Sequence, residues 1–177
     1  MSLVEITEVT HTIILDMRYA TENNFTGKAI YDCSRCFLRP EPLVLLEKAI
    51  ALAADQGYRF KILDAHRPQY AQERLWDVCP NPDYIANPAS GSHHTRGVAI
   101  DLTLVDSDGQ ELDMGTPFDS FEIASHHGSS YISPDAAKNR YTLLGIMMSA
   151  GWDFYGNEWW HYQMFKPREF ELIKSRG

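Results

Sequence analysis

Ser92-His93-His94-Thr95-Arg96-Gly97-Val98-Ala99-Ile100-Asp101-Leu102-Thr103-Leu104-Val105 is the stretch whose reading decides the fold. Val98, Ile100, Leu102 and Leu104 alternate with Ala99, Asp101, Thr103 and Val105. That is the period of a strand, and it puts Asp101 on the face opposite the bulkier apolar side chains. Thr95-Arg96-Gly97 reads as a turn, which can fold His94 back towards the carboxylate at position 101. Asp106-Ser107-Asp108-Gly109 supplies the turn that ends the strand.

Helices and short strands are expected on either side. Leu43, Leu46, Ala49, Ile50 and Ala53 recur at helical spacing between Glu41 and Gln56, with Pro40 and Pro42 at the start and Gly57 just beyond the end. Tyr58 to Leu63 reads as a strand leading into Asp64-Ala65-His66-Arg67-Pro68, and a second helix is expected from Pro68 to about Val78. Ser133 as N-cap and Pro134 at the first helical position open a third, which runs to Ala150 before Gly151. Trp152 to Tyr155 and Trp159 to Phe165 pair as a closing hairpin with Gly156-Asn157 at its turn. Ile13 to Tyr19 reads as a short strand, Ala20 to Arg39 as a long surface loop, and Cys79 to Ala89 as a loop. The mixture predicts an α+β fold, one domain over residues 1–177 with a small central antiparallel sheet flanked by helices.

The composition excludes several functions. At 44% apolar and 23% charged residues, the 177-residue chain has the make-up of an ordinary globular protein. Its net charge of −8, with no run of Lys or Arg, disfavours nucleic acid and anionic membrane surfaces as partners. No apolar run reaches the roughly 20 residues that span a bilayer, and Met1 to Tyr19 lacks the layout of a secretory leader. A cytoplasmic protein is therefore expected, with the periplasm as the alternative if a leader has been removed. Cys33 and Cys36 have the C-x-x-C spacing, but no second pair completes a four-ligand zinc site, so they read as loop cysteines. Cys79 leaves the count odd.

Of seven histidines, His94 and His161 stand in structured contexts, the second within Glu158-Trp159-Trp160-His161-Tyr162. Two imidazoles and a carboxylate recur as ligands of catalytic zinc and leave a position for water. Glu158 is the candidate base for that water. Because residues three apart on a straight strand face opposite ways, Glu158 is expected just before the strand or on a bulge. Arg67 is the candidate for stabilising an oxyanion; its bland alternative is an ordinary ion pair with an Asp or Glu. His93 is expected to face solvent or support the ligands, and His126 and His127 to shape a loop. The tryptophans Trp152, Trp159 and Trp160 are expected in the core and pocket wall.

Ser92-x-His94-x-x-Gly97-x-x-x-Asp101 followed by Glu158-x-x-His161 resembles the signature of the D-alanyl-D-alanine dipeptidases, zinc enzymes related to the vancomycin-resistance dipeptidases and the zinc D-Ala-D-Ala carboxypeptidases. Asp16 to Thr21, Asn24 to Gly27, Asp64 to Pro68, Arg96 to Leu104 and Met114 to Asp119 resemble family segments in the same order. The resemblance implies a Hedgehog/D,D-peptidase-like fold and one zinc per chain on His94, Asp101 and His161. It further implies Glu158 as base, Arg67 as transition-state stabiliser, and Tyr19, Ser92 and Asp119 as binders of a small zwitterionic dipeptide. His66 departs from the aromatic Tyr expected before Arg-Pro. A D,D-carboxypeptidase or peptidoglycan endopeptidase with an open cleft is the nearest alternative, and a catalytically silent zinc module the non-enzymatic one.

Overall fold

A computed structural model describes residues 3–173 of the chain. Its centre is a five-stranded sheet in the order β2-β4-β5-β7-β6, made by Ile13–Leu15 (β2), Arg59–Asp64 (β4), Ala99–Val105 (β5), His161–Gln163 (β7) and Asp153–Phe154 (β6). A separate two-stranded ribbon joins Val4–Ile6 (β1) to Cys36–Leu38 (β3). The α+β class and the central sheet are as expected, except that β2 runs parallel to β4 while every other pair is antiparallel. The expected loop from Ala20 to Arg39 also differs. It contains β3 and buries Ile30 and Tyr31 in the core.

The helices follow their boundary residues. Pro40–Asp55 (α1) starts one residue earlier than expected, with Pro40 in its first turn. Gln69–Val78 (α2) follows Pro68. Pro134–Ala150 (α3) is capped by Ser133, whose hydroxyl accepts the Ala136 N–H at 3.1 Å, and it ends at left-handed Gly151. α1 and α3 pack together and reach β4 and β6 respectively. Leu46, Ala49 and Ala53 of α1 and Leu143 and Met147 of α3 join Phe60, Ile62, Ile100, Leu102, Leu104 and Tyr162 in one buried cluster.

Register divides the two faces of the sheet. Phe60 pairs with Leu104, Ile62 with Leu102, and Ile100 with Tyr162, which builds the apolar face. Asp101 and Thr103 point the other way, yet all seven residues of β5 are buried. The second face is thus covered too, although it carries the polar Asp101 and Thr103. Cys36 lies in the core while Cys33 is exposed, and both are free thiols.

Leu104 is fully buried at the end of β5 away from Asp101. Leu104→Ala is expected to lower unfolding stability by about 2–5 kcal/mol through lost burial and a residual cavity, read as a shift in the denaturant midpoint. A shift too small to measure would mean that the apolar face is not the stabilising one.

Candidate active site

Three adjacent strands present three polar side chains in a row. Asp101 on β5 is register-paired with His161 on β7. On its other side it is paired with Asp64, because a register shift after Ile62 on β4 brings Asp64 rather than Leu63 opposite it. His94 arrives from the turn before β5, where the Gly97 N–H bonds back to the His94 carbonyl at 2.9 Å. That turn needs glycine. Gly97 has φ +69°, and a Cβ there would lie 2.9 Å from the Ile173 side chain.

The distances are those of a ligand cluster. His94 Nε2 lies 3.1 Å from His161 Nδ1 and 3.3 Å from Asp101 Oδ1, and His161 Nδ1 is 3.0 Å from that same oxygen. All three residues are buried, and together they make the group of His, Cys, Asp or Glu side chains that could hold a metal ion among the described residues. The far nitrogen of each ring fixes its tautomer. His94 Nδ1–H donates to the Ala65 carbonyl at 2.7 Å, and His161 Nε2–H donates to Gln163 Oε1 at 3.1 Å. Each inner nitrogen is then a lone pair aimed at another lone pair and at a carboxylate oxygen. Only a cation reconciles that arrangement, so the residues fit a metal ion. Burial disfavours charge on His94, but the Asp101 carboxylate outweighs this and raises its proton affinity. Asp101 in turn is driven below the usual carboxylate range by the two histidines, against its own burial.

Glu158 is buried on the turn just before β7, as expected; its N–H bonds to the Tyr155 carbonyl and its carbonyl accepts the His161 N–H. Its Oε2 lies 3.9 Å from His161 Nδ1. Burial, then the charges of Asp101 and Asp119, hold its carboxyl well above the ordinary value, with Arg67 opposing.

Of the two alternatives for Arg67, the structure shows the ion pair. It lines the pocket and is also paired, with Nε and Nη2 donating to Asp64 Oδ2 at 3.1 and 2.7 Å. Its Nη1 donates to Gln72 Oε1 at 3.0 Å, and its guanidinium lies over the Tyr19 ring. Asp64 also accepts the Tyr31 hydroxyl at 2.5 Å. The sequence reading named neither Asp64 nor Gln72 as a site residue, nor Gln163; for Gln163 a signal existed, since it shares a strand face with His161 two residues before it.

Tyr19, Ser92 and Asp119 all line the same cavity, of about 260 Å³. Tyr19 donates its hydroxyl proton to Asp119, at 3.1 and 2.9 Å to the two carboxylate oxygens. Asp119 has a left-handed backbone at φ +60°, a conformation that Asp tolerates better than most residues. Ser92 Oγ accepts the Thr95 N–H at 3.0 Å, so it also builds the turn that carries His94. His93 is half-buried and its Nδ1 shares Gln163 Oε1 with His161, at 2.5 Å, which is a supporting position. His126 and His127 stand outside the cluster, each with a buried Nε2 that has no partner among the described residues. His66 likewise leaves Nε2 unpaired, and burial holds it neutral down to about pH 4.

The sequence profile of the M15 peptidases, described as D-ala-D-ala dipeptidase, matches residues 1–167. The chain belongs to the D-Ala-D-Ala dipeptidase family. Over 174 residues it is 39% identical to the D-alanyl-D-alanine dipeptidase of Escherichia coli K12, covering 98% of this chain and 90% of that one. The D-alanyl-D-alanine dipeptidase of Enterococcus faecium is 38% identical, covering 88% of this chain and 87% of the relative. That of Streptomyces coelicolor is 30% identical over 90% and 89%. The family is one of metal-dependent peptidases, in keeping with the ligand cluster.

Asp119 gives this dipeptidase-family chain a pH signature. Burial first, and the Asp101 charge second, push its carboxyl up to about 8 from an ordinary 3.8. Between those values the folded protein holds a proton that the unfolded chain has lost, so this group erodes stability as pH rises through the window. In metal-stripped protein, Asp119→Asn is expected to flatten the fall in melting temperature between about pH 5 and 8, by up to roughly one proton in the linkage slope. An unchanged slope would show that this carboxyl titrates normally.

Proposed function

We propose that this chain hydrolyses D-alanyl-D-alanine to two D-alanines, with residues 1–177 acting as one catalytic domain and one zinc ion held by His94, Asp101 and His161. The observation that carries the reading is the convergence of two imidazole lone pairs and a carboxylate within 3.0–3.3 Å, with Glu158 and Asp119 in the same cavity. Donor atoms about 2.0–2.1 Å from a tetrahedral zinc lie roughly 3.4 Å apart, which supports zinc over larger ions that prefer six or more oxygens. Bound there, zinc would supply Lewis acidity, lowering the pKa of water and polarising the scissile carbonyl.

The chain's own residues account for the rest. Asp119, oriented by the Tyr19 hydroxyl, receives the substrate's free ammonium, and its high proton affinity when empty is satisfied by that cation instead. The Ser92 hydroxyl lines the cavity for a substrate carbonyl or carboxylate. Glu158 takes the proton of the attacking water and passes it to the departing amine. A carboxyl raised well above its ordinary value suits both halves of that transfer. Arg67 has five N–H groups and commits three, two to Asp64 and one to Gln72, which leaves two for the oxyanion that forms at the scissile carbon. The Asp64 pairing holds the guanidinium in place.

A cavity of about 260 Å³ is below the size at which pockets take drug-sized molecules, roughly 300 Å³. It favours a dipeptide over a peptidoglycan stem. Three free thiols fit the reducing cytoplasm, and among the described residues no helix is long and apolar enough to cross a membrane.

Two variants test the assignment by D-alanine release together with metal analysis. Glu158→Ala should retain its zinc and lose about 10²- to 10⁴-fold in turnover; equal activity would remove Glu158 from the reaction. Arg67→Lys keeps the charge opposite Asp64 but not the planar fork, and should lose roughly 10²- to 10³-fold in kcat. A loss confined to KM would instead make Arg67 a substrate anchor.

A further inference from the structure

Arg140 is buried on α3, and a cation so placed is costly unless its donors are met. The partners it finds are uncharged. Nε donates to the Met114 carbonyl at 2.6 Å, Nη1 to the Ala124 and His126 carbonyls at 2.8 and 3.2 Å, and Nη2 to Thr116 Oγ1 at 3.3 Å. Met114 and Thr116 open one segment of the chain, Ala124 and His126 close it, and Asp119 lies between them. A single planar group therefore gathers both ends of the segment that carries Asp119, and its rigid fork fixes their spacing. The end of that segment in turn holds the turn that carries Glu158. The Ser125 carbonyl accepts the Trp159 N–H at 3.1 Å, and the His127 N–H donates to the Gly156 carbonyl at 2.9 Å, so the two bonds bracket Glu158. Thr116 Oγ1 adds a third link by accepting Trp159 Nε1 at 2.9 Å, and the Arg140 guanidinium lies over the Trp159 ring, 5.8 Å from its centroid.

We propose that Arg140 is a positioning residue, which through residues 114–127 sets Asp119 and Glu158 at a fixed separation across the cavity, an inference that rests on the roles given to those two carboxyls above. Arg140 does not line the cavity and touches neither carboxyl, so its effect is carried by the main chain it grips. Anchoring a helix for stability alone is served as well by an apolar side chain, without the cost of taking a charge out of water. A guanidinium gives what an apolar side chain cannot, which is direction, because its bonds to three carbonyls hold at one orientation of the segment. A lysine at this position keeps the charge but, as a point donor, loses the fork.

Hydrolysis of D-Ala-D-Ala by the zinc-loaded full chain, followed with zinc content and assayed well below the melting temperature of each variant, tests this. Arg140→Lys is expected to keep its zinc, to lose about 10- to 100-fold in kcat through misplacement of the base, and to raise KM about 5- to 10-fold through a weaker grip on the ammonium. The deciding readout is coupling, since a residue that acts through another has nothing left to position once that other is gone. In an Asp119→Asn background Arg140→Lys should raise KM by less than about twofold, and in a Glu158→Ala background it should lower kcat by less than about twofold. Thr116→Val, close in shape, removes the hydroxyl shared by Arg140 and Trp159 and should show the same coupling at smaller size, so the test holds even where Arg140→Lys does not fold. An undiminished penalty in either background, or parental kcat and KM in the variants, overturns the inference and leaves the dipeptidase reading intact. A parent protein that releases no D-alanine overturns both.

Discussion

Two imidazole lone pairs and a carboxylate oxygen, buried within van der Waals reach of one another, repel unless something positive lies between them. Much of the surrounding structure keeps that repulsion in place. The Ala65 carbonyl and the Gln163 amide oxygen fix the ring tautomers from outside. The β5–β7 register sets Asp101 against His161, and the turn at Gly97 brings His94 to the same point. A proton can serve as a partial substitute, which is why His94 holds one more tightly than an ordinary histidine. Metal and protons therefore compete for one site, and metal affinity weakens as the solution becomes more acidic.

The cavity gathers carboxyl groups beyond that cluster, and the fold treats each differently. Asp64 is fully buried and answered by Arg67 and the Tyr31 hydroxyl. Asp119 is answered by the Tyr19 hydroxyl alone and Glu158 by no arginine among the described residues, and burial, then the charges of nearby carboxylates, pushes both towards the protonated form. On the proposed reading, carboxyls of one chemical type are thereby sorted into a ligand, a structural counter-ion, a proton carrier and a receptor for a cation. Environment rather than identity does the sorting.

The parts of this arrangement that could be read from the sequence were those with local signals. Pro40, Ser133, Pro134 and Gly151 mark helix ends because the backbone there demands their geometry. The alternation around Asp101 marks β5 for the same reason. The short β2 carries no usable period, so its parallel pairing to β4 was not legible. Alternation also did not reveal that both faces of β5 are buried. His94, Asp101, His161 and Glu158 stand out by spacing and family likeness, and the structure brings their side chains together. Gln72 went unnoticed because a helical glutamine looks ordinary until the Arg67 guanidinium and the Ala86 carbonyl are seen on either side of it. Residues 82–86, which line the cavity, read only as loop, because Tyr155, Gln72 and Phe121, which hold them, come from elsewhere in the chain.

The five-stranded sheet ends in β2, three residues long, on one side and β6, two residues long, on the other. An outer strand with a long row of unsatisfied amides invites another polypeptide to extend the ladder, the first step towards fibrous aggregates. Strands this brief offer such a guest one or two bonds and then stop. Asp101 and His161 lie on the inner strands β5 and β7, away from the rims where unwanted self-association would begin.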